Sequence, residues 1–228
     1  MVTDDRFIAI VGRLGIRPMV RLSLPARRLL AYLALRGGEV ARQHAADELW
    51  PDHPEEVGRA NLRRSLWQTP PDWIEGVGDT LILAAECDLP AARRTASRAI
   101  HGDALTFDEI DLLSLDLLPG WHEEWAIAAH EDFRLLRIQA LEAACIILSG
   151  RGNHALAIQA GAAAVAAEPL RESAAEALIE AHLAQHNRFE AVQCFRALEG
   201  RLRDELGVLP GADLVERITS FVRPRNVA

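Results

Sequence analysis

One stretch of this chain copies another stretch 34 residues away, and that displacement constrains the fold more than any other feature. From Gly152 the chain reads Asn153, Ala157, Ile158, Gln159 and Ala163; from His186 it reads Asn187, Ala191, Val192, Gln193 and Ala197. The same offset aligns Ala140 with Ala174, Ala143 with Ala177, and the apolar Cys145 with Ile179. A period of 34 residues predicts two antiparallel helices per repeat. One such hairpin cannot bury its own apolar face, so neighbours must stack, and stacking creates a concave surface suited to protein partners.

This is the period of tetratricopeptide (TPR) repeats, so the C-terminal half is expected to be TPR-like. At 228 residues the chain suits two small domains or one large one. Residues 1–86 carry 11 Arg and 12 acids, whereas residues 87–228 carry 14 Arg and 21 acids. The negative excess thus lies in the second half, which disfavours that half as a nucleic-acid surface. Lysine is absent, so every fixed cation is Arg. Cys87, Cys145 and Cys194 share no CxxC spacing, so neither a disulfide framework nor a zinc site is expected. Cys145 and Cys194 fall in apolar helical stretches and are expected to pack as small hydrophobes. The opening MVTDDRFIAI does not read as a signal peptide, and no run reaches ~18 apolar residues. A cytoplasmic protein without membrane contact is expected.

Along the first half, the apolar runs Phe7–Val11 and Met19–Leu22, punctuated by Gly12, Gly15 and Pro18, predict short strands. Ser23 and Pro25 open a helix that Gly37-Gly38 closes, with Ala26, Leu29, Leu30 and Leu33 on one apolar face. Glu39–Ala41 is a short extended link, and Arg42–Trp50 a second helix stopped by Pro51. A third helix runs from Pro54 to about Gln68, where Pro70-Pro71 ends it. Two strands around a Gly78-Asp79 turn follow. Strands, three helices and a hairpin, in that order, predict a winged helix-turn-helix (α+β). From Leu89 onward the pattern is helical, with a last helix over about Ala212–Phe221. The expected fold class is therefore mainly α: a winged helix-turn-helix followed by an all-α, TPR-like helical-repeat domain.

Leu24–Val40, Leu49-Trp50-Pro51 and Ala60–Leu66 resemble the DNA-binding domain of Streptomyces antibiotic regulatory protein (SARP)-type transcription factors. Leu117–Trp121 with Glu124-Trp125, and Leu206–Pro210 with Leu214, are similar to the opening and closing motifs of the bacterial transcriptional activation domain. The resemblance covers nearly the whole chain in the family's order. It implies a DNA-binding domain over 1–86 and an activation domain over 87–228. It also implies binding to double-stranded DNA, contact with RNA polymerase subunits, and a homodimer. One departure is the third helix, which Thr69-Pro70-Pro71 cuts shorter than the family's.

With Leu62 and Leu66 taken as the buried side of that helix, Gly58 and Ser65 fall near it, and the opposite side carries Arg64, Trp67 and Gln68, with Asn61 and Arg63 at its edges. Arg reads guanine, and Asn or Gln reads adenine, in the major groove. Arg59 flanks the buried side and joins them as a candidate. Arg27 and Arg28, near the start of the first helix, either touch phosphates or solvate that face. Trp67 is expected to pack under the hairpin. The hairpin tip has no basic residue. His182 and His186 stand at the i, i+4 spacing of a metal pair, but no third ligand accompanies them. His122-Glu123-Glu124 reads as a helix start, and the acids Asp103–Asp116 as a solvated surface. Trp121 and Trp125 are read as packing anchors between the two domains. No Walker A, GxGxxG or GxSxG motif is present. No enzyme, metal or cofactor is expected. The sequence points to a DNA-binding transcription regulator, with an adaptor that has lost DNA binding as the alternative.

Overall fold

The computed structural model describes residues 6–222, so Met1–Asp5, part of the segment used above to exclude a signal peptide, lie outside the described residues. The chain is mainly helical with a few short strands, and it divides into two compact units. The first comprises residues 1–93 and 115–133, the second residues 94–114 and 134–228.

The first unit opens with β1 (Phe7–Ala9) antiparallel to β2 (Gly15–Arg17). The second strand is not the expected Met19–Leu22 run, and Met19 is fully exposed. Hydrophobicity alone misplaced it, because the ladder pairs Ile8 with Ile16. Next comes α1 (Leu24–Arg36), N-capped by Ser23, whose hydroxyl accepts from the Ala26 N–H, with Pro25 in its first turn. It ends where Gly37 adopts a φ of 63°, a conformation natural only to glycine. Ala26, Leu29, Leu30 and Leu33 are buried, as their spacing predicts. β3 (Glu39–Ala41), α2 (Arg42–Leu49) and α3 (Glu55–Gln68) follow. The hairpin of β4 (Ile74–Val77) and β5 (Thr80–Leu83) turns at Gly78-Asp79 and joins β3 in a sheet of order β3-β5-β4.

β6 (Glu86–Cys87) runs parallel to β1 and leads into α4 (Asp88–Ile100). Asp88 accepts the backbone N–H groups of Ile10 at 2.9 Å and Val11 at 3.1 Å, fixing the N-terminal strand to the start of that helix. Residues 115–133 complete this unit. Leu118 donates its N–H to Ile10, and the Trp125 ring meets Tyr32 edge-on at 5.5 Å.

The second unit holds α5 (Phe107–Ser114), the later part of α6 (Glu124–Gly150), α7 (His154–Ala167), α8 (Glu172–Ala184), α9 (Arg188–Arg201) and α10 (Ala212–Val222). The 34-residue displacement reappears in the backbone hydrogen bonds of the turns. Gly152 and His186, one period apart, both adopt positive φ, 77° and 63°. Asn153 N–H donates to Leu148, and Asn187 N–H donates to His182; Gly152 donates to Ser149, and His186 to Leu183. Ala157 and Ala191, Ala140 and Ala174, and Cys145 and Ile179 are all fully buried pairs. The repeat thus specifies two helical hairpins of one geometry, α6–α7 and α8–α9. α9 closes in a π-type turn over Leu202–Leu206, and Leu202 packs with Leu214 and Ile218 of α10 around Ile179 and Leu198.

Candidate nucleic-acid interface

α3 is 14 residues long, about 21 Å at 1.5 Å per residue. Pro54 starts it, Glu55 and Glu56 lie in its first turn, and Thr69 stops it before Pro70. Its buried side is Gly58, Leu62 and Ser65, as the spacing placed them, while Leu66 is only half-buried. Gly58 lies over Ala46 of α2 with room for a methyl, since an added Cβ would stand 3.6 Å from the Ala46 carbonyl oxygen, ordinary contact. Ser65 enters the core because its hydroxyl donates to the Asn61 carbonyl at 2.9 Å, so no polar atom is stranded. The outward direction therefore turns by about 50° from the one that Leu62 and Leu66 predict. Trp67 lies at its centre, with Arg63 and Arg64 on either side.

Trp67 is 85% exposed, which overturns the expectation that it packs under the hairpin. The buried tryptophan there is Trp73, whose carbonyl accepts the Ala84 N–H. Arg63 and Arg64 are exposed and make no hydrogen bond or ion pair among the described residues. Arg27 is exposed in the same way.

The other expected contacts are more constrained. Asn61 and Gln68 are half-buried, and the Gln68 side-chain oxygen accepts from the Ser23 hydroxyl, tying the end of α3 to the cap of α1. Arg59 is held by Glu55 on its own helix and by the Gln43 side chain. Arg28 is half-buried, donating to the Leu49 carbonyl at 3.1 Å and standing 3.2 Å from Glu123. Arg42, which the sequence reading did not single out, lies against the hairpin: a Cβ on Gly76 would stand 2.5 Å from its guanidinium. Arg42, Gln43, Arg59, Leu62, Arg63 and Asp79 line a groove of about 410 Å³. The glycine at 76 was the available signal for Arg42, legible only once the hairpin was placed beside α2. Among the described residues, no group of three or more His, Cys, Asp or Glu could hold a metal, and no helix is long and apolar enough to cross a membrane.

Residues 85–220 match the family model of the bacterial transcriptional activator domain. The chain belongs to that family. It is 30% identical over 208 residues to the regulatory protein AfsR of Streptomyces coelicolor, covering 83% of this chain and 21% of AfsR. The chain therefore spans about a fifth of that relative. It also shares its fold with Mycobacterium tuberculosis EmbR, solved in complex with a low-affinity phosphopeptide. That match has a TM-score of 0.62 at 24% identity and covers 96% of this chain and 66% of EmbR. The family match and the likeness to AfsR support a regulator of the SARP family.

Proposed function

We propose that this chain is a DNA-binding transcriptional activator. Residues 1–86 act as a winged helix-turn-helix domain and residues 87–228 as a TPR-like activation domain. In this reading α1, α2 and α3 with the β4–β5 hairpin form the winged helix. α3 enters the major groove, and the helical hairpins hold a second protomer, RNA polymerase subunits, or both. The observation that carries the reading is the outward face of α3, where Arg63 and Arg64 stand exposed and, among the described residues, unpaired, with no acid between Val57 and Thr69. Free guanidiniums at that position can reach guanine O6 and N7. A length of about 21 Å suffices to cross a groove about 12 Å wide, so the early stop at Pro70 does not prevent docking. Arg27 is available to phosphate, whereas Arg28, Arg59 and Gln68 reach DNA only by leaving their present partners. Asn61 contributes from the flank.

The test is selection of bound genomic fragments followed by fluorescence anisotropy on the enriched sequence. Saturable, sequence-dependent binding that weakens by about 1–3 kcal/mol on Arg64→Ala supports the reading. Equal weak binding to every duplex, indifferent to Arg63 and Arg64, refutes it and leaves an adaptor.

A further inference from the structure

Trp67 is the one fully exposed tryptophan of the five, and the DNA-binding reading explains its neighbours but not itself. It sits on the solvent axis of α3, opposite Gly58, with no hydrogen bond and no aromatic partner among the described residues. An indole held out in water on a rigid helix forgoes the burial that large aromatics ordinarily supply. Its surroundings identify what covers it. Arg63 and Arg64 bracket it within about 60° on the helix and are unpaired among the described residues. The acids of this helix, Glu55 and Glu56, are confined to its first turn, about 16 Å or more along the axis. Two unneutralised guanidiniums beside an apolar ring suit a polyanion that also carries apolar groups. Protein contact centres also take Trp and Arg; what selects DNA here is the proposed docking of α3, which sets this face against the base edges. The major groove of DNA offers that combination, because thymine presents a C5-methyl among the base edges.

We propose that Trp67 packs on a thymine methyl in the major groove and sets a preference for thymine at one position of the operator. This inference rests on the proposed DNA binding. It adds an apolar contact to the arginine contacts, and it makes the C-terminal half of α3, not its acidic first turn, the part that enters the groove.

The experiment uses the full chain and the DNA that the wild type selects. Each thymine is replaced in turn by uracil, which removes only the methyl, and binding is measured by anisotropy for the wild type, Trp67→Ala and Arg64→Ala. Acrylamide quenching of tryptophan emission is followed with and without DNA. The wild type is expected to lose about fourfold at one uracil position, the worth of one buried methyl. Trp67→Ala is expected to bind more weakly and to be indifferent to that substitution, while Arg64→Ala keeps the uracil effect. The quenchable emission should fall when DNA saturates the protein.

Equal affinity and an equal uracil profile for wild type and Trp67→Ala, with Arg64→Ala still impaired, would overturn the inference alone and leave the DNA-binding reading standing. Loss of quenching with rising protein concentration in the absence of DNA, matched by self-association in sedimentation, would overturn it in favour of a second copy of the chain. A wild type that selects no sequence would remove both readings.

Discussion

Gly161 of α7 stands close against Cys145 of α6 and Leu178 of α8, and replacing it with alanine tests whether packing or propensity governs the repeat. In a helix interior, glycine to alanine stabilises by about 1 kcal/mol, and burying one methyl adds about 0.8 kcal/mol. Against this, a Cβ at Gly161 would stand 2.9 Å from the Cys145 sulfur, 3.1 Å from the Leu178 Cβ and 3.2 Å from the Leu178 Cα. Carbon pairs favour about 3.5–4.0 Å. The Leu178 Cα is backbone of α8, so no rotamer change relieves it, and α7 must move away from its neighbours. Overpacking of this kind costs about 1–3 kcal/mol, and contact at 2.9 Å on one side and 3.1–3.2 Å on the other puts Gly161→Ala at the upper end, enough to cancel both gains and leave a net loss of about 1 kcal/mol. Gly58→Ala is the matched control, because its nearest atoms lie at 3.6–3.9 Å, ordinary contact, and the propensity gain should survive at about 0.5–1 kcal/mol. Urea unfolding distinguishes the two sites. All five tryptophans belong to the first unit, so their fluorescence follows Gly58→Ala, while helical circular dichroism follows both units. A Gly161→Ala chain as stable as wild type by circular dichroism would refute the claim that close approach of α7 to Cys145 and Leu178 sets the hairpin packing.

Two further outcomes follow from the same contacts. His186 occupies the left-handed position that Gly152 fills one repeat earlier, so His186→Gly should stabilise the second unit by about 1 kcal/mol in thermal melts. Burial lowers the His182 pKa, with Glu190 opposing weakly, and burial likewise lowers that of His130. Above the unfolded value of about 6.5 neither folded nor unfolded chain takes up these protons, and the stability they confer is complete. As pH falls below it the unfolded chain binds them first, so stability should fall with a slope set by how far the folded pKa values lie below the unfolded one. Urea melts between pH 7.5 and 5 should show that slope, reduced in His182→Gln.

Much of the fold is legible in the sequence because its determinants are local. Ser23, Pro25 and Gly37 bound α1, Pro54 and Pro70 bound α3, and the 34-residue offset specifies the turns at Gly152 and His186. What is not legible depends on neighbours distant in sequence. The rotation of α3 follows its seat on Ala46 of α2, which the spacing of Leu62 and Leu66 does not reveal. Trp67 and Trp73 look equally fit for the core, and only the placed hairpin decides between them. Arg28 and Arg59 read as free cations until Glu123, Leu49, Glu55 and Gln43 are brought beside them. The grouping of residues 115–133 with the first unit depends on Ile10 and Tyr32, some hundred positions away.

The central claim is that the outward face of α3 reads the major groove, and dimethyl sulfate footprinting on the selected operator tests it most directly, since the reagent methylates guanine N7 in that groove. The wild type should protect discrete guanines, and Arg63→Ala with Arg64→Ala should lose that protection while the chain stays folded. Protection that persists unchanged in the doubly substituted chain, or guanines that stay fully reactive under saturating wild type, would contradict it.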